Sequence, residues 1–172
     1  GATCHVMDDG IDTGPIISQV RIPYTEDLDV TTMYQLSFIA EQRAFSEALA
    51  QDFEIHHSQQ CSSDDIYYSR RPEDRQLNFR ESNDVLLRKV KAFNNRSQGC
   101  EFSVQGRRFR VYSAVLMRNS FLEEVVKEYP EGVVALSYEN CIVFHKDGEV
   151  LRLLDVVPET GGQLIIGDRL FG

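Results

Sequence analysis

Beyond Gly99 the chain is interrupted at short intervals by turn-forming residues, and no apolar pattern of helical period survives there. Residues 101–104 and 107–116 flank Gln105-Gly106, and residues 139–145 and 149–157 flank Lys146-Asp147-Gly148. Glycine at such points supplies the positive φ that a tight hairpin needs, and an Asp-Gly pair is a strong hairpin signal. Strands this short and this evenly punctuated predict a small β-barrel.

The first part of the chain follows a different plan. Residues 2–7 read as a strand, Asp8-Asp9-Gly10 as a turn, and residues 14–23 as a second strand rich in Ile and Val. Asp29 or Thr31 can cap the helix that follows. Between residues 31 and 50, Tyr34, Phe38, Phe45 and Leu49 recur on one helical face, with Leu36 and Ile39 off it. That pattern predicts a helix covered on more than one side. Over residues 52–80 the periodicity disappears and polar runs predict a surface connector. A second helix, capped by Ser82, then sets Leu86, Val90 and Phe93 on one face at i, i+4, i+7. The expected division is therefore residues 1–52, the end of an α/β domain; 53–80, a connector; and 81–172, a helix with a small β unit. A strand–strand–helix unit of this size does not close a core alone. The chain also starts inside a predicted strand, so further residues are expected upstream.

The formal net charge of −9 argues against a nucleic-acid partner, because neutralising phosphates takes an excess of Lys and Arg on one face. The basic clusters, Arg70-Arg71 with Arg75 and Arg107-Arg108 with Arg110, are short; each can be a solvated edge or can meet a diphosphate. No apolar run approaches the roughly 18 residues a membrane helix needs, and no leader pattern opens the chain. A cytoplasmic protein with no membrane partner is expected. The four cysteines, Cys4, Cys61, Cys100 and Cys141, share no C-x-x-C spacing and are expected as free thiols. His56-His57 with Cys61 lack an evident fourth ligand, so no metal is expected.

Chemistry-bearing residues concentrate in residues 1–17, GATCHVMDDGIDTGPII. His5 lies on a strand, and Asp12 follows seven residues later, beyond a glycine turn. If the turn brings the chain back, the two side chains share a cleft and can move a proton or steady an oxyanion. Spacing alone equally fits a satisfied strand histidine and a plain turn. Asp8, Asp9 and Asp12 do not make the D-x-[DN]-x-[DN]-G calcium pattern.

The order G-x-T-x-H, then D-x-G-x-I-I, carried by Gly1, Thr3, His5, Asp12, Gly14, Ile16 and Ile17, resembles the signature of the folate-dependent formyltransferases. Later segments resemble the same family in order and spacing: Asp29-Val30-Thr31-Thr32 with Tyr34, the run Tyr67 to Asp74, Leu87 to Phe93 with Gly99, Glu131-Gly132-Val133, and Asp147-Gly148 with residues 151–159. The resemblance implies an α/β plus β fold, in which the C-terminal end of a Rossmann-like formyltransferase domain precedes a small OB-like β-barrel domain. It implies that Asp12 is a catalytic aspartate accepting the proton of an attacking amine, a role suited to a partly buried site. His5 then holds and polarises Asp12. The loop Asp8, Asp9, Gly10 and Ile11 corresponds to the segment whose backbone receives the pterin of 10-formyltetrahydrofolate, with Gly10 allowing close approach.

The family's N-x-H-x-S motif, which carries its catalytic Asn and a further His, does not occur in these residues. A chain of these residues alone is expected to be inactive. Among the family's substrates, the acidic charge counts against the methionyl-tRNA formyltransferases, which stay as the alternative. The β unit counts against the glycinamide ribonucleotide enzymes. A dTDP-linked amino-deoxy sugar is the expected substrate, destined for a surface polysaccharide such as the O-antigen of lipopolysaccharide. Tyr67 and Phe93 are then candidates to stack on thymine, as is Tyr68, with Arg70 for the diphosphate. A homodimer is expected, with residues 107–116 and 149–157 able to pair across its interface; a non-catalytic dimerisation or interaction fragment is the other alternative.

Overall fold

A computed structural model describes residues 1–56, 68–130, 132–138, 141–146 and 148–170. The chain forms two compact units, Gly1–Ser69 and Arg70–Gly172.

In the first unit, β1 (Ala2–His5) and β2 (Ile16–Val20) form an antiparallel hairpin, followed by α1 (Val30–Ala50). The register slips between Cys4 and His5, which sets His5 opposite Ile16. Such a bulge bends the strand and re-aims its side chain, and β1 ends there, short of the stretch to residue 7 that its composition predicts. Asp29 caps α1, its side chain accepting from the Thr32 amide at 2.7 Å. The helix does not meet the hairpin through its large residues. Ala40, Ala44 and Ala48 are the buried positions, at i, i+4, i+8, where the missing side-chain bulk lets helix and strands approach closely. The Ser18 hydroxyl uses that closeness to donate to the Ala44 carbonyl at 2.6 Å. Tyr34, Phe38, Ile39, Phe45 and Leu49 are exposed. The pattern predicts a covered face; within the described residues that face is open, because the hairpin occupies the alanine stripe instead.

The second unit opens with a 3-10 turn at Pro72–Arg75 and continues with α2 (Asn83–Phe93), β3 (Cys100–Val104), β4 (Arg107–Met117), α3 (Ser120–Val125), β5 (Val134–Tyr138), β6 (Cys141–Lys146) and β7 (Glu149–Thr160). Ser82 caps α2, accepting from the Val85 amide. The strands form one antiparallel sheet in the order β3-β4-β7-β6-β5. The sheet is open: among the described residues β3 and β5 do not pair. β4 pairs with β7 over most of its length, while β3 flanks only residues 107–111 of β4 and β6 only residues 149–153 of β7. Among the described residues, 112–117 of β4 and 154–160 of β7 are flanked by one strand alone, so the sheet does not use up both edges of residues 107–116 and 149–157, the segments expected at a dimer interface. Gln105 and Gly106, at φ 50° and 79°, turn β3 into β4, as a two-residue hairpin with positive φ at both positions requires. Asp147 of the other expected turn lies outside the described residues.

The core of this unit lies between α2 and the sheet. Leu86, Val90 and Phe93 of the helix pack with Phe102, Phe109, Val111, Leu151 and Leu153, joined by Leu77 and Phe79. Phe102 stacks on Phe109 at 5.4 Å and receives the edge of Phe79 at 5.2 Å. Cys100 is fully buried there, and burial pushes its thiol up to about 12.

Candidate active site

The site residues of the first unit gather where the β1–β2 hairpin turns. The turn is narrow at its neck. The Val6 amide donates to the Pro15 carbonyl at 3.0 Å, and a Cβ on Gly14 would stand 1.7 Å from the Val6 carbonyl oxygen. Only glycine fits this crossing. The crossing returns the chain beside His5 after a loop of exposed residues, and Asp12 is the one loop residue with positive φ, at 55°. Aspartate tolerates the left-handed region better than most residues that carry a Cβ.

Nε2 of His5 lies 3.6 Å from Oδ1 of Asp12. That is an ion-pair separation rather than a hydrogen bond. The other ring nitrogen, Nδ1, is 2.9 Å from the Val6 carbonyl. A carbonyl only accepts, so Nδ1 carries the hydrogen of that bond and Nε2 is the atom free to exchange a proton. Imidazolium beside carboxylate, or imidazole beside carboxylic acid, leaves one proton on the pair. The arrangement can therefore take a proton from, and return it to, a group placed beside Asp12. The family resemblance implies a partly buried Asp12; its side chain is 86% exposed here, against 22% for His5, because the described residues cover the histidine ring and leave the carboxylate open.

The loop has its own internal bonds. Oδ1 of Asp8 accepts from the Thr13 hydroxyl at 2.6 Å and from the Gly10 amide at 3.1 Å. The Thr13 hydroxyl, then the Gly10 amide, hold the Asp8 carboxyl below its ordinary value. Asp9 and Ile11 are exposed.

Of the residues considered for nucleotide contact, Tyr67 lies outside the described residues, as do His57 and Cys61. Tyr68 is exposed. Phe93 is 8% exposed, and the Arg70 guanidinium lies over its ring at 5.9 Å, so the face a base would need is occupied. His56 donates from Nε2 to Gln51 Oε1 at 2.6 Å. No group of His, Cys, Asp and Glu among the described residues could hold a metal ion, and no helix among them is long and apolar enough to cross a membrane.

Sequence reasoning missed Thr13 and Gly14 as functional supports. The signal was there, in a hydroxyl five residues from Asp8 and a glycine two residues after Asp12, but neither residue carries chemistry and only the hairpin crossing gives them work.

Residues 70–168, more than half of the chain, match the formyl transferase C-terminal domain family. The chain belongs to this family. Among curated proteins, the chain is 44% identical over 50 residues to the trifunctional purine biosynthetic protein adenosine-3 of Drosophila melanogaster, a stretch of 29% of the chain and 4% of that protein. It is 38% identical over 50 residues to the phosphoribosylglycinamide formyltransferase of Mycobacterium tuberculosis, again 29% of the chain and 23% of that protein. Among solved structures, HypX from Aquifex aeolicus in complex with tetrahydrofolic acid superposes with a TM-score of 0.65 at 16% identity, over 92% of this chain and 27% of that one. The N-formyltransferase of Helicobacter canadensis, in complex with folinic acid and dTDP-3-aminofucose, gives 0.60 at 17% identity, over 88% of this chain and 54% of that one. At these identities the likeness is one of fold. The chain spans between about a twenty-fifth and about half of the lengths of these relatives.

Proposed function

We propose that the chain is the C-terminal portion of an enzyme that moves a formyl group from 10-formyltetrahydrofolate to the amine of a dTDP-linked amino-deoxy sugar. The observation that carries this reading is the His5–Asp12 pair, 3.6 Å apart at the neck of the hairpin, in a chain of the formyl transferase family. In the reaction the amine nitrogen adds to the formyl carbon, and the bond from that carbon to N10 of the folate breaks. The amine loses a proton to Asp12, directly or through water, and N10 gains one. His5, with Nδ1 committed to Val6, steadies the carboxylate and shares the proton at Nε2. No metal takes part. The backbone of Asp8, Asp9, Gly10 and Ile11 is assigned to the pterin ring. Residues 1–52 are read as the end of a Rossmann-like catalytic domain, residues 53–80 as a connector whose last part, from Arg70, already belongs to the second compact unit, and residues 81–172 as the OB-like accessory domain, on the support of five antiparallel strands.

The choice of a sugar nucleotide rests on the net charge of −9, ill suited to transfer RNA, and is consistent with the sugar nucleotide bound by the Helicobacter relative. Arg70 is assigned to the diphosphate, with Tyr67 and Phe93 for the base; a base on Phe93 takes the place that Arg70 now holds. The product belongs to cytoplasmic assembly of surface polysaccharide such as O-antigen, and the enzyme is a homodimer with residues 107–116 and 149–157 at its interface. The missing Asn and second His of the family's N-x-H-x-S motif leave the 172-residue chain without turnover by itself. Calorimetry on an intact enzyme carrying these residues tests the substrate: binding of dTDP and its amino sugar supports the reading, and a preference for transfer RNA overturns it in favour of a methionyl-tRNA formyltransferase.

A further inference from the structure

Among the described residues, no core holds the 8–13 loop that sets Asp12 beside His5. Met7 and Ile11 are 88% and 91% exposed, so apolar burial does not fix the loop, and the Val6–Pro15 bond fixes only its neck. What spans the loop is the bond from the Thr13 hydroxyl to Asp8 Oδ1, at 2.6 Å, with the Gly10 amide on the same oxygen at 3.1 Å. Thr13 is the residue next to Asp12, so anchoring its side chain fixes the peptide from which Asp12 projects. Gly10 is shaped for the same bond: a Cβ there would stand 2.1 Å from the Thr13 hydroxyl oxygen, and the hydroxyl would have to leave.

We propose that Asp8 and Thr13 are positioning residues, a side-chain latch that keeps Asp12 in its left-handed conformation facing Nε2 of His5. The inference rests on the proton-accepting role proposed for Asp12 and adds a division of labour within the loop. The backbone of Asp8 to Ile11 faces the folate, while the side chains of Asp8 and Thr13 set the aspartate. The side chains of Asp8 and Thr13 touch neither substrate nor reacting atoms; they act through Asp12.

Imidazole nitrogen NMR of an intact enzyme carrying these residues tests the latch without needing activity. Asp12→Asn defines the change in the His5 Nε2 resonance that accompanies loss of the carboxylate. Asp8→Ala and Thr13→Val, with amide spectra otherwise native, are expected to reproduce most of that change. Thr13→Ser, which keeps the hydroxyl, and Asp8→Asn, which keeps an acceptor oxygen, are expected to restore the native resonance. If Asp12→Asn moves the resonance while Asp8→Ala and Thr13→Val leave it native, the latch is overturned and the His5–Asp12 pair stands. The latch is likewise overturned, and the pair kept, if the conservative variants fail to restore the resonance. If Asp12→Asn itself leaves the resonance unmoved, the pair is overturned, and the latch with it.

Discussion

The imidazole of His5 is bonded on one side and open on the other: Nδ1 meets the Val6 carbonyl at 2.9 Å, and Nε2 faces the Asp12 carboxylate at 3.6 Å. The first contact decides the tautomer and so decides what the second can do. A single strand end, bulged at His5, thus supplies both the histidine and the carbonyl that orients it.

The crossing that brings Asp12 back depends on Gly14. A Cβ at 1.7 Å from the Val6 carbonyl oxygen cannot be relieved by rotating a side chain, because the obstacle is backbone. Gly14→Ala is expected to break the Val6–Pro15 bond and destabilise the first unit by about 2 kcal/mol, within the range for overpacking. Urea unfolding followed by a probe in α1 measures it.

Asp8 carries a pH dependence of known sign. Its carboxyl is held low, first by the Thr13 hydroxyl, so the folded loop favours the ionised form. The associated stability is present above the ordinary carboxylate value and is lost as pH falls through the folded one. Carboxyl-carbon NMR should show Asp8 titrating below the usual range, and Thr13→Val should bring it back up towards that range.

Asp168 is buried at 3% exposure and receives Arg107 Nη2 at 2.6 Å on one oxygen and the Ile165 amide at 2.9 Å on the other. The same arginine donates to the Gln163 carbonyl at 2.8 Å. Removing one partner of a buried pair strands the other. Arg107→Ala is expected to cost about 3 kcal/mol in denaturant unfolding, whereas Arg108→Ala, at an exposed position, is expected to change it by no more than about 0.5 kcal/mol.

Cys100 is fully buried with its thiol pushed up to about 12. At pH 8 almost none of it is thiolate, the reactive form. Iodoacetamide followed by peptide mass mapping should leave Cys100 unmodified in the native chain and modify it after unfolding in urea.

The caps were legible because they are local: Asp29 and Ser82 bond amides three residues on, a relationship written in adjacent letters. Gln105-Gly106 was legible for the same reason. β5 was not, since Val133-Val134-Ala135-Leu136 is a short apolar run without the alternation that marks a strand, and its pairing with β6 is set by tertiary contact. α3 is too short to show a period, although Asn119 caps it. In α1 the large residues mark an apolar face as a pattern, but the hairpin packs on the alanines, whose small size, not hydrophobicity, makes the contact. Leu77 and Phe79 lie in a stretch without periodicity and are nevertheless core residues, because each enters the core singly. At the site, the spacing of His5 and Asp12 suggests their meeting. The crossing at Gly14 and the Asp8–Thr13 bond, which make it geometrically possible, depend on how the loop folds in three dimensions.

In the proposed reaction everything turns on Asp12 as the group that accepts the amine proton. Formyl transfer from 10-formyltetrahydrofolate to a dTDP-linked amino sugar, measured for Asp12→Asn beside the native residue in an intact enzyme carrying this chain, addresses that role directly. The expected result is a kcat lower by about a hundredfold or more, the usual contribution of a positioned acid or base, with the KM for the folate changed by no more than a few-fold. A variant that keeps its native kcat would contradict it.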